Sequence, residues 1–152
     1  MAFCIFCEIA KGTIESAKVW EDDNFLAFLD INPNTKGMTI VISKDHHNGS
    51  YIMDMDDKEY SAFFLASKRV SQILEKGLSV ERVILVMEGL MINHPHIKLY
   101  PAHGLQKQFE EILADETVYF EKYEGYISTR LGPKKELSEL QKLATDIKEK
   151  NK

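Results

Sequence analysis

The run NHPHIKLYP, residues 93 to 101, places His94 and His96 two positions apart, with Pro95 between them and Lys98 at the same spacing beyond. Apolar Ile97 and Leu99 alternate with Lys98 and Tyr100, the period-two signature of a strand. On a strand, residues i, i+2 and i+4 line one face. His94, His96 and Lys98 therefore form a row, with Pro95, Ile97 and Leu99 turned toward a core. Pro95 donates no ladder hydrogen bond and marks a strand start, an edge or a bulge. Imidazoles on such a rail have three open uses: binding a metal, attacking an electrophile, or facing water. Attack needs one ring nitrogen free while the other is held as a donor. On phosphorus it would give a covalent phosphoramidate for water or another acceptor to resolve.

Two other groups have chemical potential. Cys4-x-x-Cys7 reads as a redox pair, half a metal site, or two small buried residues. A thioredoxin-type pair would sit in a βαβ unit, and none is visible. Zinc would need two more ligands, and His46, His47, His94, His96 and His103 offer nitrogens. In FLAFLDINPNTKG, Phe25, Phe28 and Leu29 read as core, and Asp30 closes an apolar strand. Its carboxylate suits either the two hydroxyls of a ribose or the start of a turn. Gly89 would let a phosphate approach the backbone, or simply make a turn. No GxGxxG or GxxxxGK[ST] sequence is present, which excludes nucleotide binding by those glycine-rich loops.

The elements that must hold these groups follow from pattern. AKVWED and FLAFLD read as strands joined by a turn at Asp22-Asp23-Asn24, and MTIVIS as a buried β-branched strand. Residues 57 to 78 form the clearest helix, with Tyr60, Phe63, Phe64, Val70, Ile73 and Leu74 on one face. Asp54, Asp56 and Asp57 suit its start and Gly77 its end. ERVILVME is a further strand, and residues 95 to 100 the last. From about residue 105 the chain reads as two helical pieces separated by GYISTRLGP, the second carrying Leu137, Leu140, Leu143, Ala144 and Ile147. Strands joined by short turns with helices packed against them make an α+β fold.

The 152 residues, 44% hydrophobic and 28% charged, suit a packed core. No apolar run approaches the ~18 residues of a membrane span. The net charge of −5 argues against general affinity for nucleic acid or anionic membranes, though not against a small phosphorylated ligand. Two cysteines and the lack of a signal-like N-terminus make the cytoplasm the expected compartment.

Taken in order, the CxxC start, FLDINPNTKGMTIVISKDHH and HPHIKLYP resemble the histidine triad (HIT) superfamily over roughly residues 3 to 103. The resemblance implies an antiparallel HIT-like sheet with one long central helix, here followed by additional C-terminal helices. It divides the chain into a nucleotide-binding domain at 1–104 and an extension at 105–152 packed on it. It implies a homodimer that binds a purine nucleotide or nucleotide conjugate and attacks its α-phosphorus with the middle histidine, here His96. Asp30 would meet the ribose, Phe6, Ile9, Phe28 and Ile31 would border the base, and Gly89 and Asn93 would lie near the phosphate. In CxxC-bearing branches a structural zinc is held by residues that here are Cys4, Cys7, His46 and His94, with His47 as the alternative to His46. Two departures stand out. Lys98 replaces the third histidine of the triad, and EGLMIN replaces the usual Gln/Ser-rich phosphate segment.

Overall fold

The computed structural model describes residues 3–113, 117–125 and 131–152. Five strands form one antiparallel sheet: β1 (Lys18–Glu21), β2 (Phe25–Leu29), β3 (Thr39–Ser43), β4 (Val83–Val86) and β5 (His96–Pro101). Their spatial order is β1-β2-β3-β5-β4. Helix α1 (Ile5–Lys11) precedes the sheet, α2 (Asp57–Leu78) joins β3 to β4, and α3 (Leu137–Glu149) ends the chain. The α+β expectation is met.

Strand alternation divides the sheet into two covered faces. Ala27, Leu29, Val41, Ile97 and Leu99 meet Phe63, Val70 and Leu74 of α2 and Leu140, Ala144 and Ile147 of α3. Leu26, Phe28, Ile40 and Ile42 meet Phe6 and Ile9 of α1 on the opposite side. This second layer changes the setting of the histidine row. His94, His96 and Lys98 lie beneath it, all at most 4% exposed, so none faces water.

Helix α2 begins where the aspartates indicate. The Asp56 carboxylate accepts hydrogen bonds from the Lys58 and Glu59 amides, both at 2.9 Å, satisfying donors that a helix start leaves open. Its end falls at Leu78, as expected, but Gly77 is not its cap. Gly77 lies within the helix, and Ser79 takes the left-handed conformation at the C-cap. Gly77 instead marks a close crossing of helices: a Cβ there would stand 2.9 Å from the Cα and the carbonyl oxygen of Ile147.

The C-terminal region also departs from the pattern. Only α3 is helical there among the described residues; 105–113 and 117–125 contain no helix. Phe109, Ile112 and Leu113 have helical spacing but are 85%, 65% and 77% exposed. A short helix in water needs an apolar face to bury, and α2 and α3 already cover that side of the sheet. The expected helix between 105 and the GYISTRLGP break is therefore corrected to irregular chain; 114–116 and 126–130 lie outside the described residues.

Candidate functional site

Helix α1 with its N-cap, the loop after β3 and the chain before β5 bring four metal-ligating atoms together. The Sγ atoms of Cys4 and Cys7 and the Nδ1 atoms of His46 and His94 all lie within 4.8 Å of one another. His94 Nδ1 is 3.5 Å from Cys4 Sγ and 3.6 Å from Cys7 Sγ. His46 Nδ1 is 3.2 Å from Cys7 Sγ and 3.2 Å from His94 Nδ1. A tetrahedron built on Zn–N of about 2.0–2.1 Å and Zn–S of about 2.3 Å has edges of about 3.3 Å between nitrogens and about 3.6 Å from nitrogen to sulfur. The donor set fits that polyhedron.

The protonation states fit as well. His94 Nε2–H donates to the Ser43 carbonyl at 2.7 Å, which leaves the Nδ1 lone pair facing the sulfurs. Burial holds its imidazole below the usual range and so neutral, against a smaller upward pull from the Ser43 bond. At Cys7, burial and then the neighbouring Cys4 push the thiol upward. Adjacent thiolates are thus unfavourable without a cation between them. His47 is turned elsewhere: its φ is 54° and its Nε2 lies 3.1 Å from Ser43 Oγ.

A cleft of about 270 Å³ opens beside this cluster. Its floor follows one row of the sheet. Lys98 of β5 is in register with Ile40 of β3, which is in register with Phe28 of β2, and all three line the cleft. Phe6 and Ile9 of α1, Asp30, Ile31 and His96 also line it. Phe6 sets its ring edge-on to His94 and His96, with centroids 5.7 and 5.4 Å away. One aromatic therefore links the metal-ligand cluster to the cleft.

His96 has the geometry of a nucleophile. Its Nδ1–H donates to the His94 carbonyl at 2.7 Å, which places the lone pair on Nε2. Burial is the largest influence on the ring and lowers its pKa; the His94 carbonyl, Glu88 and Asp30 oppose this, and Lys98 adds to it. The ring is neutral at physiological pH. Asp30 serves two purposes at once. One carboxylate oxygen accepts from the Asn32 amide at 2.7 Å, as an Asx turn does, while the side chain also borders the cleft.

Gly89 and Asn93 are not among the residues lining this cleft. Gly89 has φ 66° and accepts at its carbonyl from Ser50 Oγ, and Asn93 borders a neighbouring depression with Cys4, Cys7 and His46. Sequence reasoning missed Glu88. Its carboxylate pairs with Lys98 Nζ at 2.5 Å and accepts from the Tyr123 hydroxyl at 2.5 Å. The signal was an acid closing an apolar strand, two positions beyond the Val86 that faces Lys98 in register. It also missed Leu131, Leu137 and Leu140 as cleft walls. The helical spacing of Leu137 and Leu140 indicated a core, Leu131 read as part of a break, and nothing local tied them to β2.

The HIT domain model matches residues 11–104, and the chain belongs to this histidine triad family. An uncharacterised HIT-like protein of Methanocaldococcus jannaschii is 36% identical over 104 residues, covering 66% of this chain and 79% of that protein. The adenosine 5'-monophosphoramidase of Schizosaccharomyces pombe is 32% identical over 108 residues, covering 71% and 77%. Among solved structures, a hypothetical histidine triad nucleotide-binding protein from Sulfolobus tokodaii superposes with a TM-score of 0.71 at 24% identity, covering 97% of this chain and 91% of that one. A Zn-bound histidine triad family protein from Mycobacterium smegmatis superposes with a TM-score of 0.65 at 19% identity, covering 97% and 95%. At those identities the two structures establish the fold. Among the described residues, no helix is long and apolar enough to cross a membrane.

Proposed function

We propose that this protein is a nucleotidyl hydrolase or transferase acting on a purine nucleotide conjugate through a covalent nucleotidyl-His96. The observation that carries the reading is the tautomer of His96: buried, neutral, its Nδ1–H committed to the His94 carbonyl, and in a cleft that also holds Asp30. Nε2 attacks the α-phosphorus, the P–N bond forms, and the bond to the leaving group breaks. Water or another acceptor then displaces His96 and restores the free imidazole. Asp30 has a second carboxylate oxygen for the ribose, and Phe6, Ile9, Phe28 and Ile31 supply apolar walls for the base. A phosphoramidate or a dinucleoside polyphosphate is the substrate class, and the named activity of the fission yeast relative supports the former.

Zinc in the Cys4, Cys7, His46 and His94 cluster is structural in this reading. Four protein ligands close a tetrahedron with no position left for water. The Zn-bound mycobacterial neighbour supports the idea that this fold accommodates the ion. Held there, zinc would tie α1, and with it Phe6, to the strand that carries His96. A cytoplasmic location goes with Cys4 and Cys7 being free thiols and not a disulfide. The end of the family match at residue 104 supports treating 105–152 as an extension of a 1–104 domain. A homodimer is supported by β4, an edge strand of four apolar residues whose Ile84 is 55% exposed.

A second reading is favoured by one observation. The ammonium of Lys98, which takes the place of the third histidine, is engaged by Glu88, so the chain would bind nucleotide with little turnover. One experiment separates the two. The protein is incubated with adenosine 5'-phosphoramidates and dinucleoside polyphosphates, quenched, and weighed by mass spectrometry. A nucleotidyl adduct on the wild type that is absent from His96→Ala establishes the enzyme. Binding without adduct or turnover leaves the binding module, and turnover that survives His96→Ala refutes both.

A further inference from the structure

The family match ends at residue 104, yet part of the cleft wall comes from beyond it. Leu131, Leu137 and Leu140 border the same cleft as His96 and Asp30. The chain at 131–140 is anchored at both ends. At its start, the Gly132 amide donates to the Asn32 carbonyl at 3.1 Å, and the Lys135 amide to the Ile31 carbonyl at 2.8 Å. These bonds pin it to the loop that directly follows Asp30. Any side chain at 132 would run into the Pro33 carbonyl, so glycine sets how closely the two segments approach. At its end, α3 is seated on α2 through Gly77 and Ile147, and Asn151 donates to the Ile73 carbonyl at 2.9 Å.

Sheet order fixes which end of the cleft this segment closes. His96 and Lys98 stand on β5, and crossing the sheet passes β3 and β2 before reaching β1. At about 4.8 Å per strand, the start of β1 lies roughly 14 Å from the His96 rail. Ser16 and Ala17, just before β1, border the cleft at that far end together with Leu29, and α3 packs on β1 and β2. A ligand with its phosphorus at His96 and its ribose at Asp30 must point its base in this direction. The lining there is mostly aliphatic, with Glu15 and Ser16 as its polar members. We propose that the segment 131–140 is the base-recognition wall of the cleft, with Leu137 and Leu131 as specificity-determining residues for the aromatic base of a nucleoside 5'-phosphate.

The inference rests on the nucleotide reading, and its test keeps the two apart. AMP and ribose 5-phosphate, which differ by the base alone, are titrated calorimetrically into the full-length wild type, Leu137→Ala and Leu131→Ala. Leu131 is half-exposed, so its truncation leaves the fold intact even if Leu137→Ala loses stability. The expected result is about a tenfold loss of AMP affinity for Leu137→Ala and a few-fold loss for Leu131→Ala. Ribose 5-phosphate binding should be unchanged in both. AMP affinity unchanged in both variants overturns the proposal while leaving the nucleotide reading standing. Equal losses for the two ligands also overturn it, since the wall would then not touch the base. A wild type that binds neither ligand overturns the nucleotide reading itself, and this inference with it.

Discussion

Lys98 Nζ lies 2.5 Å from Glu88 Oε1, and the two side chains are only 5% and 7% exposed. The triad's third position therefore holds one half of a buried ion pair, with the Tyr123 hydroxyl on the other carboxylate oxygen. The charge of Lys98 is directed at Glu88 as well as at any phosphate in the cleft. Removing one member of such a pair strands its partner's charge away from water, which costs about 3–5 kcal/mol. Lys98→Met should lower unfolding stability by that amount, whereas the double change Lys98→Met/Glu88→Gln should recover most of it. Urea unfolding at constant m-value measures both. Equal stability of the single and double variants would show the pair to be energetically idle.

In the proposed function, His96 sets the acid limb of activity. The attacking form is the neutral ring, and burial lowers its pKa from the ordinary 6.5. As pH falls, activity should hold through 6.5 and decline only below it, as the ring takes up a proton in its folded environment. A plot of kcat/KM against pH tests the sign. A midpoint above 6.5 would mean that the carboxylates of Glu88 and Asp30 outweigh burial. Stability should follow the same direction in metal-free protein. The unfolded chain binds a proton at His96 more readily, so stability present above about 6.5 is lost as pH falls toward the folded value.

Zinc analysis has a built-in control in the adjacent histidines. His46 Nδ1 lies 3.2 Å from Cys7 Sγ, while His47 faces Ser43. Protein prepared without chelator should contain about one zinc per chain. His46→Ala and Cys4→Ser should lose it, and His47→Ala should keep it. Chelation should also weaken AMP binding, because Phe6 reaches the cleft from the helix that the cluster tethers. Elemental analysis that finds zinc absent from the wild type would remove the structural role altogether.

Asp30 carries both a turn and, in the proposed function, a ribose contact, and two substitutions separate them. Asp30→Asn keeps an oxygen to accept from the Asn32 amide, and Asp30→Ala does not. If the free oxygen holds the ribose, Asp30→Ala should cost AMP about 1.5–3 kcal/mol of binding, the range for a charge-assisted hydrogen bond. The 2',3'-dideoxy analogue should lose far less. Equal losses for both ligands would leave Asp30 as a turn residue only.

How much of this was legible in the sequence depended on how far apart the partners lie. Periodicity placed β2, β3 and α2, because alternation and the 3.6-residue face are local signals. The metal-ligand cluster spans residues 4 to 94 and was reached through family resemblance, since spacing alone left the cysteines ambiguous. Glu88 with Lys98, and Leu137 with Asp30, lie beyond both kinds of signal. An acid closing a strand and a leucine starting a helix look ordinary until the sheet order brings them to the cleft. The misread helix after residue 105 shows the converse: Phe109, Ile112 and Leu113 had the spacing but no surface on which to bury it.

Gly77 gives the most direct test of how the C-terminal segment is held. By helix propensity alone, an interior glycine such as Gly77 would gain about 1 kcal/mol on replacement by alanine. In the fold it lies inside the helix, where a methyl group would meet the Ile147 backbone at 2.9 Å, and backbone cannot yield as a side-chain tip can. Overpacking of this kind costs about 1–3 kcal/mol. That loss should exceed the ~1 kcal/mol that alanine gains over glycine in a helix. Gly77→Ala should therefore unfold at lower urea, and it should loosen α3, raising amide exchange at Leu140 and Ala144 while leaving the β3 and β5 amides protected. The same variant should weaken AMP binding if Leu137 at the head of α3 forms the base wall. Gain of stability on Gly77→Ala, with α3 exchange unchanged, would mean that the two helices do not cross as closely as described.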